Sequence, residues 1–330
     1  MTISFGRHAR DLTWLVALGA GLWGTDALFR NSLARQVSAP TLVFAEHLVL
    51  VLVLLPFLPR SVRAFGRLDA RARGAVIAIG AGASAVATTL FTMAFKISSA
   101  QGDFVTPVVV QHLQPLFAIA GAVVVLGEKV RTKFAAFAVP GILGVWLLAF
   151  PNPLSVSVSR VSVVLLALAA AALWAGGTVL GRLVAVELEP VELTTLRFAV
   201  GLPAAAVIVV VSGSDFWVPD LSSSGAVVGL ALVPGLLAMV LYYIGLRRTA
   251  ASRATLAELA FPLTGAVAGI VLGSSAPGGL TSTQWMGAAV IAAAVTGLSW
   301  HEARARVRLC PHRSRPWRQS RCLSCADRHG

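Results

Sequence analysis

Ten apolar runs of 18 to 23 residues follow one another from residue 12 to residue 299, separated by short polar connections. They cover residues 12–29, 40–58, 74–95, 104–126, 133–150, 161–181, 191–212, 224–246, 254–273 and 282–299. Each is long enough to cross a hydrocarbon core of about 30 Å as a helix. The runs are continuous and rich in Ala and Leu, without the alternation of a membrane barrel strand. Inside lipid a backbone must satisfy its own polar groups, and for such runs only the helix does so. The connections leave no room for a soluble domain. The chain therefore reads as an all-α integral membrane protein with ten transmembrane helices.

Composition agrees. Asp, Glu, Lys and Arg make up 12% of the 330 residues, about half the share of a soluble domain, and the mean hydropathy is +0.80. So few charges cannot build a water-facing surface. The formal net charge of +13 would ordinarily suggest nucleic acid. Here the arginines sit in short loops and in the last 30 residues, as membrane topology places them. The bilayer is the expected partner and nucleic acid is not.

With the N-terminus on the cytoplasmic side, 22 of the 27 Lys and Arg residues fall inside and four outside. Arg197 is left within a span. Basic residues stay inside, so both termini are expected in the cytoplasm and the protein in the plasma membrane. The expected organisation is a cytoplasmic N-terminus (1–11), a first repeat (12–150), an external linker (151–160), a second repeat (161–299) and a disordered basic tail (300–330). The first run lacks a small-residue cleavage site and nine more spans follow it, so it does not read as a signal peptide.

The two repeats are visible in the residues. Leu22-Trp23-Gly24 matches Leu173-Trp174-Ala175, the stretch from Pro40 matches the stretch from Pro190, and Pro115 matches Pro262, all offset by about 150 residues. Five spans per repeat is an odd number, so the second repeat lies upside down relative to the first. Inverted five-helix repeats are a construction of alternating-access transporters.

Charged residues inside spans cost roughly 2.5–3.5 kcal/mol each on insertion scales, which makes them functional candidates. Six fall here away from the span ends: Asp26, Glu46, His47, His112, Arg197 and Glu258. Glu258 and Gln111 each precede a proline by four residues, Pro262 and Pro115. A proline removes the helix hydrogen bond to the residue four earlier, so both positions combine loosened backbone with a polar side chain. The candidate solute-binding set is Trp23, Gln111, His112, Gln114, Trp174, Arg197, Tyr242 and Glu258. The candidates for proton coupling are Glu258, Glu46, His112 and Asp26. Each also has a structural reading: Arg197 as partner of Glu46 or Asp26, Asp26 as a residue reaching headgroups, and the tryptophans as packing. Gln111 and Gln114, three apart, are expected on one helix face.

These features resemble the drug/metabolite transporter superfamily, specifically its EamA-type members. Trp23-Gly24, the stretch Gln114-Pro115-Leu116-Phe117 leading to Leu126-Gly127-Glu128-Lys129, Trp174, Arg197 and Glu258 to Leu263 carry the likeness. Two departures stand out. The family usually repeats Gly-Glu after the ninth helix, where this chain has Gly273-Ser274-Ser275, and it often has Arg in the second, where Glu46-His47 stands. The resemblance implies ten helices around a central cavity and movement of small metabolites without ATP. The expectation is a secondary active transporter, an exporter, of small organic solutes such as amino acids or related metabolites. The alternatives are an intramembrane enzyme or a lipid-handling protein.

No phosphate-binding loop of the form G-x-x-x-x-G-K-[ST] and no nucleophile–base pattern occurs, so no enzyme activity or cofactor is expected. Cys310, His312, Cys322 and Cys325 in the tail form at most a minimal zinc set, and no metal site is expected in the spans. A small-molecule solute is the expected partner, and a homodimer is an admissible assembly.

Overall fold

The computed structural model describes residues 12–33, 36–100, 106–111, 113–128, 132–149, 152, 154, 161–218, 221–271 and 281–309. Among them every regular element is helical.

The first repeat opens with α1, broken into α1a (Thr13–Trp23) and α1b (Asp26–Leu33). Helix α2 runs as Ala39–Leu54, a 3-10 turn Leu55–Phe57 and Leu58–Arg67. Helix α3 runs as Ala70–Ile77, a π-helical stretch Ala78–Val86 and Ala87–Ser99. Helix α4 is broken into α4a (Thr106–Gln111) and α4b (Gln114–Leu126), and α5 is Thr132–Ala149.

In the second repeat, α6 is Val161–Val184 and α7 is Pro190–Ser212. Helix α8 runs as Leu221–Leu230, a π-helical stretch Ala231–Leu237 and Ala238–Leu246. Helix α9 is broken into α9a (Ala251–Ala257) and α9b (Ala260–Val271), and α10 is Ser282–Leu309. The same departures thus recur in both halves: a π-helical stretch in the third helix and a break in the fourth. The passes α2, α3, α6, α7 and α8 are each long and apolar enough to cross a membrane as a single helix.

Capping residues set the boundaries. The Ser38 hydroxyl accepts from Thr41 N (3.3 Å) to start α2, and Asp69 accepts from Ala72 N (2.7 Å) to start α3. Glu189 and Glu192 form a reciprocal capping box ahead of α7, with Pro190 in its first turn. Gly127 and Gly213 stop α4b and α7 in the left-handed region (φ 66° and 63°), where glycine lacks the Cβ clash.

Several expected spans differ in detail. The runs 12–29, 104–126 and 254–273 are not continuous helices. At Leu113 the amide reaches only Val110 O (3.1 Å), and Leu259 N reaches only Leu256 O (3.1 Å). Pro115 and Pro262 follow these points without an N–H to resume the ladder. At Gly24 the cause is packing against α9b. A Cβ there would stand 2.6 Å from Gly265 N and 2.7 Å from Phe261 O, and Thr264 Oγ1 donates to Gly21 O at 2.6 Å. Helix α2 continues to Arg67, nine residues past the expected end at 58. Helix α10 continues to Leu309, so the segment 300–309 of the expected tail is helical, and 310–330 lie outside the described residues.

The main core joins the halves. Leu50 and Ile79 from the first repeat meet Leu193, Tyr243 and Leu246 from the second. Helices α5 and α10 cross closely at Gly144 and Gly287 and, with α9, form a separate apolar cluster around Val145, Leu259 and Ile291. The arginine-rich end is tied across the halves. Arg60 donates to Glu192 (2.7 Å), and Glu128 accepts from Ala251 N (2.8 Å), Ser252 N (3.1 Å) and Ser252 Oγ (2.7 Å). At the opposite end Thr41 Oγ1 donates to Asp215 O (2.5 Å) and Ser223 to Gln36 (3.2 Å).

Candidate functional site

A cavity of about 190 Å³ lies between the halves, bounded by parts of α1 to α4 and α6 to α9. The breaks of α1, α4 and α9 all border it: Trp23 and Asp26 flank the first, Gln111 and Gln114 the second, and Glu258 and Leu259 form the third. Interrupted helices at membrane depth are tolerated where they face a cavity, because the freed backbone and the side chains there can meet a ligand.

Glu258 closes α9a and is the centre of the polar floor. Tyr242 Oη donates to its Oε1 at 2.7 Å, Thr178 Oγ1 to the same oxygen at 3.0 Å, and Gln114 Nε2 to Oε2 at 2.7 Å. Gln114 comes from the first repeat and the other three residues from the second, so this carboxyl binds the halves together. Trp23 lies against Tyr242 with ring centroids 4.9 Å apart. Glu258 and Gln111 hold corresponding places before Pro262 and Pro115 in the two repeats; the glutamine bonded to the carboxyl is Gln114, on the far side of the break at Leu113. Gln111 and Gln114, expected on one helix face, stand in separate helical pieces on either side of Leu113. Both still line the cavity.

A second cluster sits nearer the ends of α1b and the start of α2. Arg30 clasps Asp26 with two hydrogen bonds (2.5 and 2.7 Å) and reaches Glu46 Oε2 at 3.5 Å. It also donates to Thr92 Oγ1 (3.3 Å). Asp26 therefore turns inward rather than to headgroups, and the partner of Glu46 and Asp26 is Arg30, not Arg197. A charge in the membrane is tolerated when paired in this way.

Arg197, 8% exposed, instead donates to Tyr243 Oη (3.1 Å) and to Ala83 O (3.2 Å), and no carboxylate among the described residues lies within ion-pair distance. His47 is held by Val43 O (2.7 Å) and Ser84 Oγ (2.9 Å), with its ring edge-on to Phe198. Trp174 lines the opposite wall, 5.2 Å from Phe91. His112, named from the sequence, lies outside the described residues.

The cavity thus gathers Trp23, Asp26, Glu46, Gln111, Gln114, Trp174, Arg197, Tyr242 and Glu258. Sequence reasoning missed Arg30 by counting it with the outer loop, although its spacing of four from Asp26 is that of a helical ion pair. It missed Thr178 as well, which lies one turn beyond Trp174 on the same face of α6.

The comparisons with known proteins point the same way. A solved crystal structure of 22% sequence identity superposes with a TM-score of 0.71, covering 90% of this chain and 99% of its own, which shows a shared fold. A curated relative, the riboflavin transporter ImpX of Fusobacterium nucleatum, is 28% identical over 264 residues, 77% of this chain and 86% of that protein. The model of the EamA-like transporter family matches residues 12–150 and again 161–300. With two matches that together span nearly the whole sequence, the chain belongs to the EamA-like transporter family.

Proposed function

We propose that the chain is a secondary active transporter that carries small organic solutes through the central cavity by alternating access, with Glu258 as the proton-coupling group. Export across the cytoplasmic membrane, with both termini inside, is the direction and placement assigned. The observation that carries the reading is the Glu258 cluster. One carboxyl, at a helix break, takes donors from both repeats at the floor of the cavity. Adding a proton to Glu258 would make one of its oxygens an O–H donor and leave the other an acceptor, which conflicts with at least one of the protons that Tyr242, Thr178 and Gln114 now offer. Protonation and the contact between the halves are coupled through that conflict. The solutes to be tried include amino acids and related metabolites. The riboflavin named for the Fusobacterium relative adds flat heteroaromatic molecules.

The test is solute flux in proteoliposomes under an imposed pH gradient, comparing the native chain with Glu258→Gln. The native protein is expected to accelerate with the gradient. The variant is expected to retain solute exchange and lose the response. An unchanged response in the variant removes Glu258 from coupling, and an absence of flux for every solute under every gradient refutes transport itself.

A further inference from the structure

A second cleft, of about 460 Å³, lies at the arginine-rich end and shares no lining residue with the central cavity. Helix α8 divides the two. Its Met239 and Tyr242 face the central cavity, while Val240 and Ile244 face the cleft. Phe57 and Arg60 of α2 and the start of α7 line the cleft as well.

The charged part of the cleft is one connected group. Glu189 and Glu192 form the capping box of α7. Glu192 accepts from Arg60 Nε at 2.7 Å, and Glu189 accepts from Arg247 Nη1 at 2.9 Å. Among the described residues each of these two guanidiniums spends one N–H on its carboxylate, and a guanidinium has five. Their side chains are 65% and 35% exposed, so the remaining donors are within reach of a ligand. Arg248, the next residue, is exposed, and its side chain has no ion pair or hydrogen bond among the described residues. Three guanidiniums against two carboxylates leave a surplus positive charge in the cleft.

The rest of the cleft is apolar and lies deeper. Val240 precedes Arg247 by seven residues, about 10 Å along a helix axis. Phe57 precedes Arg60 by nearly one turn of α2 and is exposed, as are Leu52 and Leu55 before it. On a helix long and apolar enough to cross a membrane, exposed side chains of this kind face acyl chains. The apolar wall of the cleft is therefore continuous with the lipid-facing surface.

We infer that this cleft holds an anionic phospholipid from the leaflet at the arginine-rich end. Its phosphate meets Arg60, Arg247 and Arg248, and one acyl chain lies along Phe57, Val240 and Ile244. Guanidinium groups match the geometry of phosphate oxygens, and basic pockets between membrane helices favour anionic headgroups. A zwitterionic headgroup brings its own cation and leaves the surplus charge uncompensated. A soluble phosphate makes no use of the apolar wall. Arg60 belongs to the first repeat and Arg247 and Arg248 to the second, so the lipid bridges the halves away from the solute route.

The experiment titrates the full-length protein in detergent with dioleoylphosphatidylglycerol or dioleoylphosphatidylcholine and counts bound lipid by native mass spectrometry. Phosphatidylglycerol is expected to bind as one tightly held molecule, about fivefold or more above phosphatidylcholine, and inorganic phosphate is expected not to displace it. One arginine near a headgroup is worth about fivefold in affinity, so Arg248→Gln should weaken phosphatidylglycerol by about that factor. Arg248 is exposed and holds no carboxylate, so this variant leaves the fold intact. Ile244→Trp should fill the apolar part and weaken binding as well. Arg71, at the same end but outside the cleft, is the control, and Arg71→Gln should change binding by less than about twofold. Equal affinity for the two lipids, or unchanged affinity in Arg248→Gln, overturns the inference. An equal loss in Arg71→Gln replaces it with diffuse surface attraction, and displacement by phosphate replaces it with a soluble-anion site. Binding is read without any solute, so failure here leaves the transport reading untouched.

Discussion

Breaking the clasp at Glu128 should open the arginine-rich end. The carboxylate sits just past the left-handed Gly127 and accepts two backbone N–H groups and one hydroxyl at the start of α9a. It also complements the positive end of that helical segment. A hydrogen bond to a charged group is worth about 1.5–3 kcal/mol when nothing replaces it. Glu128 is half-buried, so water takes over part of the loss, and about 1 kcal/mol per bond remains, some 2–3 kcal/mol in all. If the clasp holds only in the conformation described, Glu128→Ala shifts the equilibrium between conformations by about 30- to 150-fold. The measurement replaces Cys310, Cys322 and Cys325 by Ser and places one reporter with Met239→Cys, a buried cavity residue on α8. Labelling by a membrane-impermeant maleimide from the arginine-rich side should accelerate by that factor in Glu128→Ala and by less in Glu128→Gln. Ser252→Ala, which keeps both backbone bonds, should change the rate by less than fivefold or so. An unchanged rate in a folded Glu128→Ala protein would show that the contact does not gate that end.

Other outcomes follow from the same geometry. Arg30→Gln leaves Asp26 and Glu46 facing each other without a cation, and should lower stability by about 3–5 kcal/mol; Arg30→Gln combined with Asp26→Asn should recover part of it, read by thermal unfolding in detergent. Gly287→Ala puts a Cβ 2.4 Å from Leu148 N and 2.6 Å from Gly144 O, so α5 and α10 must move apart, at a cost of about 1–3 kcal/mol. Gly74→Ala, in the first turns of α3 with nothing within 4 Å of the new methyl, should instead raise the melting temperature slightly, worth about 0.4–1 kcal/mol.

The apolar runs and the repeat offset were readable because lipid demands long uninterrupted hydrophobicity and because duplication keeps spacing. Glu258 was readable for the opposite reason, as a charge where lipid tolerates few. What stayed hidden depends on three-dimensional approach. Gly24 marks a break only because α9b presses against it. Arg30 counts as cavity rather than loop only because α1 extends to Leu33. That Gln114 rather than Gln111 meets Glu258 was not readable, since it turns on the helix break at Leu113.

The π-helical stretches of α3 and α8 carry a consequence for motion. A π turn holds one residue more than an α turn, and it can be absorbed or passed along without severing the helix. In α8 the stretch ends at Leu237, and the two tyrosines that follow face different partners: Tyr242 bonds Glu258 and Tyr243 bonds Arg197. A one-residue advance of the register would turn the lower part of the helix by about 100°. Tyr242 would then be drawn off the carboxyl and its neighbour off the guanidinium in a single rotation. The middle helix of the second half would then work like a camshaft, in which one turn releases the floor of the cavity and its wall together.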